Sequence, residues 1–169
     1  SPDAVRRCLL DVSRRFARDV DERVERSGPG VTVVLEHQVP PHPDEELVRT
    51  GDTVGELLDV VRGTGLTLCW DTGHYLLSMD RHGQSPEPPE AFIDRVSHVH
   101  LHDVLDGRDH RPISASSRQV RRWVEVLRAR GFGGRITLEY QADGIEESGG
   151  VERVAERSME LLREWMRIE

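Results

Sequence analysis

Four short apolar runs, each closing on an acid or an imidazole, most constrain this chain: "VTVVLEHQ" (31–38), "LTLCWD" (66–71), "SHVHLHD" (97–103) and "RITLEY" (135–140). Their β-branched, near-continuous apolar character predicts strands buried on both faces. Helical stretches separate them. Val5, Leu9, Val12, Phe16, Val20 and Val24 recur at three- or four-residue spacing, which predicts an amphipathic helix from Asp3 to Glu25, stopped by "SGPG" at 27–30. Prolines in "VPPHPDEELVRTGD" exclude regular structure there, and the capping-box pair Thr53 and Glu56 restarts a helix that ends near Gly63. A short segment and the Pro-rich "SPEPPE" then lead to a helix through "AFIDRV". "SSRQVRRWVEVLRARG" reads as a helix with a serine cap and a glycine stop. The last helix, from about Val151, sets Val154, Leu161, Leu162, Trp165 and Met166 mostly along one stripe. Such alternation predicts the α/β class, a parallel sheet wrapped by helices, in a single domain spanning 1–169.

Composition narrows the partners. The chain is 36% hydrophobic and 32% charged, enough apolar content for a real core. It has no apolar run of about 18 residues and its first residues lack the apolar segment of a signal peptide, so no membrane is expected and the location reads as cytoplasmic. Cys8 and Cys69 lie in apolar surroundings and read as reduced thiols. A formal net charge of -8 disfavours a nucleic-acid partner, because phosphate binding needs a basic surface.

Each predicted strand carries a potential metal ligand at or near its carboxyl end: Glu36, Asp71, His100 and Glu139. Carboxyl ends are where parallel α/β folds build their sites. Side chains alternate along a strand, so Glu36 groups with Thr32 and Val34, Asp71 with Thr67 and Cys69, and Glu139 with Arg135 and Thr137. The opposite faces (Val33 and Leu35, Leu68 and Trp70, Ile136 and Leu138) are apolar and are expected to meet the helices. Three carboxylates and one imidazole form a mostly hard-oxygen set, suited to one divalent ion: manganese, magnesium, cobalt or zinc. In the third strand His98, His100 and His102 share a face. His98 reads as a hydrogen-bonded interior histidine, and His102, at the rim, is placed to touch substrate or support Asp103. His37, His42 and His82 read as solvated loop residues.

"VLEHQ", "CWDTGH", "HVHLHDVLDGRDHRPIS" and "GFGGRITLEY" resemble, in order and spacing, the fifth to eighth strands of the xylose isomerase-like TIM barrels. That family includes ketose 3-epimerases, hydroxypyruvate isomerases and endonuclease-IV-type apurinic endonucleases. The resemblance covers nearly the whole chain and implies a (β/α) TIM-barrel type with about four β/α units, the carboxyl-terminal half of a barrel. It implies that Glu36, Asp71, His100 and Glu139 bind one catalytic divalent metal, and that His74 and His110 contact substrate. Arg108 fits a clamp for a hydroxyl-rich or phosphorylated ligand. Two departures stand out. The nucleases hold a further zinc with an Asp-x-His pair, whereas Arg108 stands two residues before His110 here and Asp109 is adjacent; and "SAS" at 114–116 replaces the family's Gly-x-Gly.

The activity implied is isomerisation or epimerisation of a sugar or keto-sugar, phosphorylated or not, by proton transfer through an enediolate, a step of carbohydrate metabolism. Glu36 and Glu139 are the implied acid/base pair, with His74, His102, Arg108 and His110 around the small-molecule substrate. The alternatives are a metal-dependent hydrolase or lyase, such as an endonuclease-IV-like phosphodiesterase, and a non-catalytic half-barrel that serves binding or assembly. A closed barrel has eight strands and about 250 residues, so four strands in 169 predict a homo-oligomer or a partner half that completes the sheet.

Overall fold

The computed structural model describes residues 1–28, 30–42 and 44–167. Pro29 of the predicted helix stop and Pro43 of the proline-rich loop lie outside the described residues. In chain order the elements are α1 (Pro2–Ser27), β1 (Val34–Glu36), α2 (Val54–Val60), β2 (Thr67–Asp71), α3 (Thr72–His82), α4 (Glu90–Ile93), β3 (Val96–Leu101), β4 (Asp103–Leu105), β5 (Arg108–Arg111), α5 (Arg118–Ala129), β6 (Arg135–Leu138), α6 (Ala142–Glu147) and α7 (Val151–Trp165). The sheet order is β1-β2-β3-β6, all pairs parallel, as expected of a partial β/α barrel. Register places Glu36 beside Cys69, Asp71 beside His100 and His100 beside Thr137, so the ligands are stepped across the carboxyl end of the sheet, with Asp71 and His100 level, Glu36 two residues short of them and Glu139 two residues beyond.

The apolar face of the sheet is buried on the two central strands as the alternation predicts, while Val33, Leu35, Ile136 and Leu138 beside the edges are partly buried. Leu68, Trp70, Val99 and Leu101 have no exposed surface. Against them pack Val120, Trp123, Val124 and Leu127 of α5, whose i, i+3, i+4, i+7 spacing forms the stripe that a helix needs to lie on a sheet. Trp70 anchors the packing, with ring centroids 5.3 Å from Trp123, 5.6 Å from Phe92 and 5.7 Å from Tyr75. Trp123 also donates its indole N–H to the Pro86 carbonyl at 2.8 Å, so its one polar atom is satisfied inside the core.

Several elements depart from the sequence reading. The segment after Asp71 is not a short connection but α3, capped by Asp71 itself, whose Oδ1 accepts from the His74 amide at 2.8 Å. β4 and β5 form an antiparallel hairpin, signalled by Asp106-Gly107 with φ of 53° and 74°, the paired positive values of a tight hairpin turn. Ser117 stands at the N-cap of α5 as expected but makes no side-chain cap bond: its hydroxyl donates to Asp103 Oδ2 at 2.5 Å and accepts from the Ser114 amide. Thr53 does cap α2 through the Glu56 amide, but the Glu56 carboxylate turns to Arg6 and the Gly51 amide. His37 is buried rather than solvated.

The largest difference concerns α1. Its predicted stripe faces outward: Val5, Leu9, Val12 and Phe16 are exposed, Phe16 by 66%, while Ala17 is buried and Leu10 and Val20 pack on the core. Ion pairs from Arg6 to Asp52 and Glu56, and from Arg14 to Asp59, hold α1 against the loop before α2 and α2 itself. Periodicity identifies an amphipathic helix but cannot say whether a neighbour lies over its apolar side. Among the described residues, no helix is long and apolar enough to cross a membrane. Trp123→Ala is expected to lower unfolding free energy by about 3–5 kcal/mol, read from urea denaturation, because it empties the centre of the aromatic cluster.

Candidate metal centre

The carboxyl end of the sheet brings the four predicted ligands together. Glu36, Asp71, His100 and Glu139 each offer an atom within 4.8 Å of the others. Glu36 and Glu139 come from the two outer strands' ends, and Asp71 and His100 from between them. His100 Nδ1 lies 2.8 Å from Glu139 Oε2, 3.5 Å from Glu36 Oε1 and 3.8 Å from Asp71 Oδ2. Asp71 is fully buried, and its carboxylate is divided between two tasks. Oδ1 caps α3, while Oδ2 is buried with no hydrogen-bond partner.

His100 Nδ1 and Glu139 Oε2 are likewise buried without a hydrogen bond, the two standing 2.8 Å apart but out of alignment. Three such atoms converging beside a fourth carboxylate fit a divalent cation, whose charge compensates what the protein leaves unpaired. Burial pushes the Asp71 carboxyl up, but His100 and His102 outweigh it and hold the group well below the usual range. Its neighbours Asp71, Glu139 and Glu36 raise His100 to about 8 against the cost of burial. Cys69, on the same face, is pushed up to about 12 by burial and the surrounding acids, so it stays a thiol.

A second group, Asp71, His74, His102 and His110, adjoins the first and shares Asp71 with it. His74 Nδ1 donates to the His37 carbonyl at 2.7 Å, which leaves Nε2 with its lone pair, 3.8 Å from Asp109 Oδ2. Asp109, read as out of register, in fact stands near both histidines, with Oδ1 3.3 Å from His110 Nδ1. His110 adopts φ 53°, a left-handed backbone unusual for a side chain of its size. Its ring stacks on His102 at 4.2 Å, and its Nε2 lies 3.9 Å from Glu139 Oε1.

Two of the expected substrate contacts sit elsewhere. His102 has no exposed surface and lies behind Asp71, its Nε2 2.8 Å from Asp71 Oδ1. The β3 alternation is broken at this point, because the strand ends at Leu101. Arg108 points its guanidinium to Asp143 and Glu147, at 3.3 and 3.5 Å, and so ties β5 to α6. His98 shares a hydrogen bond of 2.9 Å with Thr137, as read from the sequence, but is half-exposed rather than interior. Asp109 was missed because spacing within "RDHR" says nothing of how a left-handed residue turns the hairpin.

A parallel sheet with acids and an imidazole converging at its carboxyl ends defines a partial β/α barrel with a potential cation site. The chain belongs to the xylose isomerase-like TIM barrel family, whose model matches residues 2–165. That family includes sugar isomerases and epimerases and endonuclease IV-like enzymes, and its members often bind divalent metals. The chain matches no curated protein and no solved structure.

The raised His100 value has a definite sign. Its ordinary value is 6.5, so protonation in the metal-free fold adds stability that is complete below pH 6.5 and lost as pH rises through about 8. The metal-free protein should therefore melt at a lower temperature at the upper end of that window, and divalent-ion affinity should rise across it as the imidazole loses its proton. Thermal melts and calorimetric titrations of the native chain against His100→Gln check both, with the variant showing neither dependence.

Proposed function

We propose that this chain is a divalent-metal-dependent isomerase or epimerase acting on a sugar or keto-sugar by proton transfer next to a carbonyl. The observation that carries the reading is the convergence of Glu36, Asp71, His100 and Glu139, with no aligned hydrogen bond on Asp71 Oδ2, His100 Nδ1 or Glu139 Oε2. Those four residues would hold one ion of manganese, magnesium, cobalt or zinc. When bound, such an ion supplies Lewis-acid polarisation of a carbonyl oxygen.

The chain's own groups do the rest. Glu36 and Glu139 approach from opposite edges of the sheet and are the half-exposed members of the set, so both can reach a ligand in the opening. One takes the proton from carbon and the other, entering the step protonated, returns a proton to the opposite face; each carboxyl group exchanges its protonation state. His74 and His110 line the same end and are placed to orient substrate oxygens. Asp71, with no exposed surface, serves the ion and α3 rather than the substrate.

One observation favours a second reading, a hydrolase or lyase with more than one ion. His74 Nε2 stands 3.8 Å from the Asp109 carboxylate, with His110 alongside, and a neutral imidazole nitrogen facing a carboxylate would suit a cation between them. The proposal also includes a second copy or another half that completes the sheet, since β1 and β6 are outer strands and α1 exposes an apolar stripe.

Three measurements test these readings. A panel of ketoses in heavy water should show metal-dependent exchange of a carbon-bound proton, and Glu139→Gln should reduce it by roughly 100-fold or more while leaving the melting profile near that of the native chain. Elemental analysis should give one ion per chain; two or more, with phosphodiester cleavage in place of exchange, decides for the second reading. Light scattering should report a mass above 19.2 kDa, and an active monomer of that size removes the completing partner.

A further inference from the structure

The motif "DTGH" at 71–74 is built around a residue that lies thirty positions away. His102 is held from several sides. Its amide donates to Thr72 Oγ1 at 3.0 Å, and its carbonyl accepts from the same hydroxyl at 2.6 Å. Its ring nitrogen Nδ1 accepts from the His110 amide at 2.8 Å, which demands a lone pair on that atom. Nδ1 lies farther, 3.4 Å, from the Asp103 carbonyl, so the ring proton of the neutral imidazole sits on Nε2, which stands 2.8 Å from Asp71 Oδ1 but out of hydrogen-bond alignment with it.

Gly73 admits the ring. A Cβ on residue 73 would stand 2.1 Å from His102 Cε1 and 2.3 Å from Nδ1, far inside contact distance. Gly73 is helical and has no positive φ, so its absence of a side chain answers to packing against His102 and not to backbone conformation. The imidazole can reach Asp71 only across a bare α-carbon.

We propose that His102 is a positioning residue for Asp71, and that Gly73 exists to let it approach. With the His74 amide donating to Oδ1 and His102 Nε2 standing 2.8 Å from the same oxygen, that side of the carboxylate is occupied, and Oδ2 is left facing His100. The proposal rests on the reading that Asp71 holds a divalent ion. It assigns to His102 a role behind the site in place of substrate contact.

Manganese(II) calorimetry and cobalt(II) absorption spectra test it on the native chain, His102→Leu, His102→Gln and Gly73→Ala, with a thermal melt of each metal-free protein. His102→Leu and Gly73→Ala should weaken manganese(II) binding by roughly 10- to 100-fold and shift the cobalt(II) bands. In His102→Gln the amide nitrogen stands where Nε2 stood, so affinity and spectrum should return toward those of the native chain. Native affinity and an unchanged spectrum in a folded His102→Leu overturn the positioning role while leaving the metal centre in place. A native chain that takes up neither ion overturns the metal reading, and this proposal with it. Should the leucine variant fail to fold, nitrogen-15 imidazole shifts of the native metal-free chain in mildly alkaline buffer decide: a proton on Nε2 supports the role, and a proton on Nδ1 overturns it.

Discussion

Crowding of like charge at one end of the sheet is the constraint around which the rest of the structure is arranged. Glu36, Asp71 and Glu139 bring three carboxylates within 4.8 Å of one another, with the imidazole of His100 among them. At such separations, repulsion between carboxylates away from bulk water amounts to several kcal/mol unless a positive charge intervenes. In the metal-free fold His100 can supply part of that charge, which is why its value rises to about 8. A divalent cation supplies more, and it meets the buried oxygens that the protein leaves unpartnered.

The strands bring these groups to one end of the sheet, and the connections hold them there. Asp71 illustrates the division. One of its oxygens ends β2 by starting α3, so the helix fixes the position of the acid and the acid fixes the start of the helix. The β4–β5 hairpin returns the chain so that His110 stacks on His102 and Asp109 reaches His74. Beneath all of this the aromatic packing of Trp70, Tyr75, Phe92 and Trp123 keeps β2 rigid, and a cation site needs rigidity because its ligands must stay within tenths of an ångström of one geometry.

Legibility followed the range of the interaction. Strands β2, β3 and β6, helices α5 and α7 and the four converging ligands could be read from local pattern, since alternation of period two and stripes of period 3.6 are written in neighbouring residues. Helix α3 escaped notice because its first residues, Thr72, Gly73 and His74, are poor helix formers whose presence answers to contacts made elsewhere. His102 was misplaced for a related reason: strict alternation carried it to the rim, whereas β3 ends one residue earlier and the ring turns inward. Arg108 looked free because its partners, Asp143 and Glu147, lie far along the chain on a helix that the sequence did not announce.

By itself the sequence determined the α/β class, the order of strands and which acids and histidine end them, because side-chain periodicity and strand-end position are local properties of the chain. Only the tertiary structure decided how those ends are used. The register of β1, β2, β3 and β6 set the distances among the ligands; the hairpin placed Asp109 and His110; and the bare α-carbon of Gly73 let His102 stand behind Asp71. Each of these is a meeting of residues distant in the chain, and its outcome depends on the shape and charge of both sides at once, which no local pattern contains.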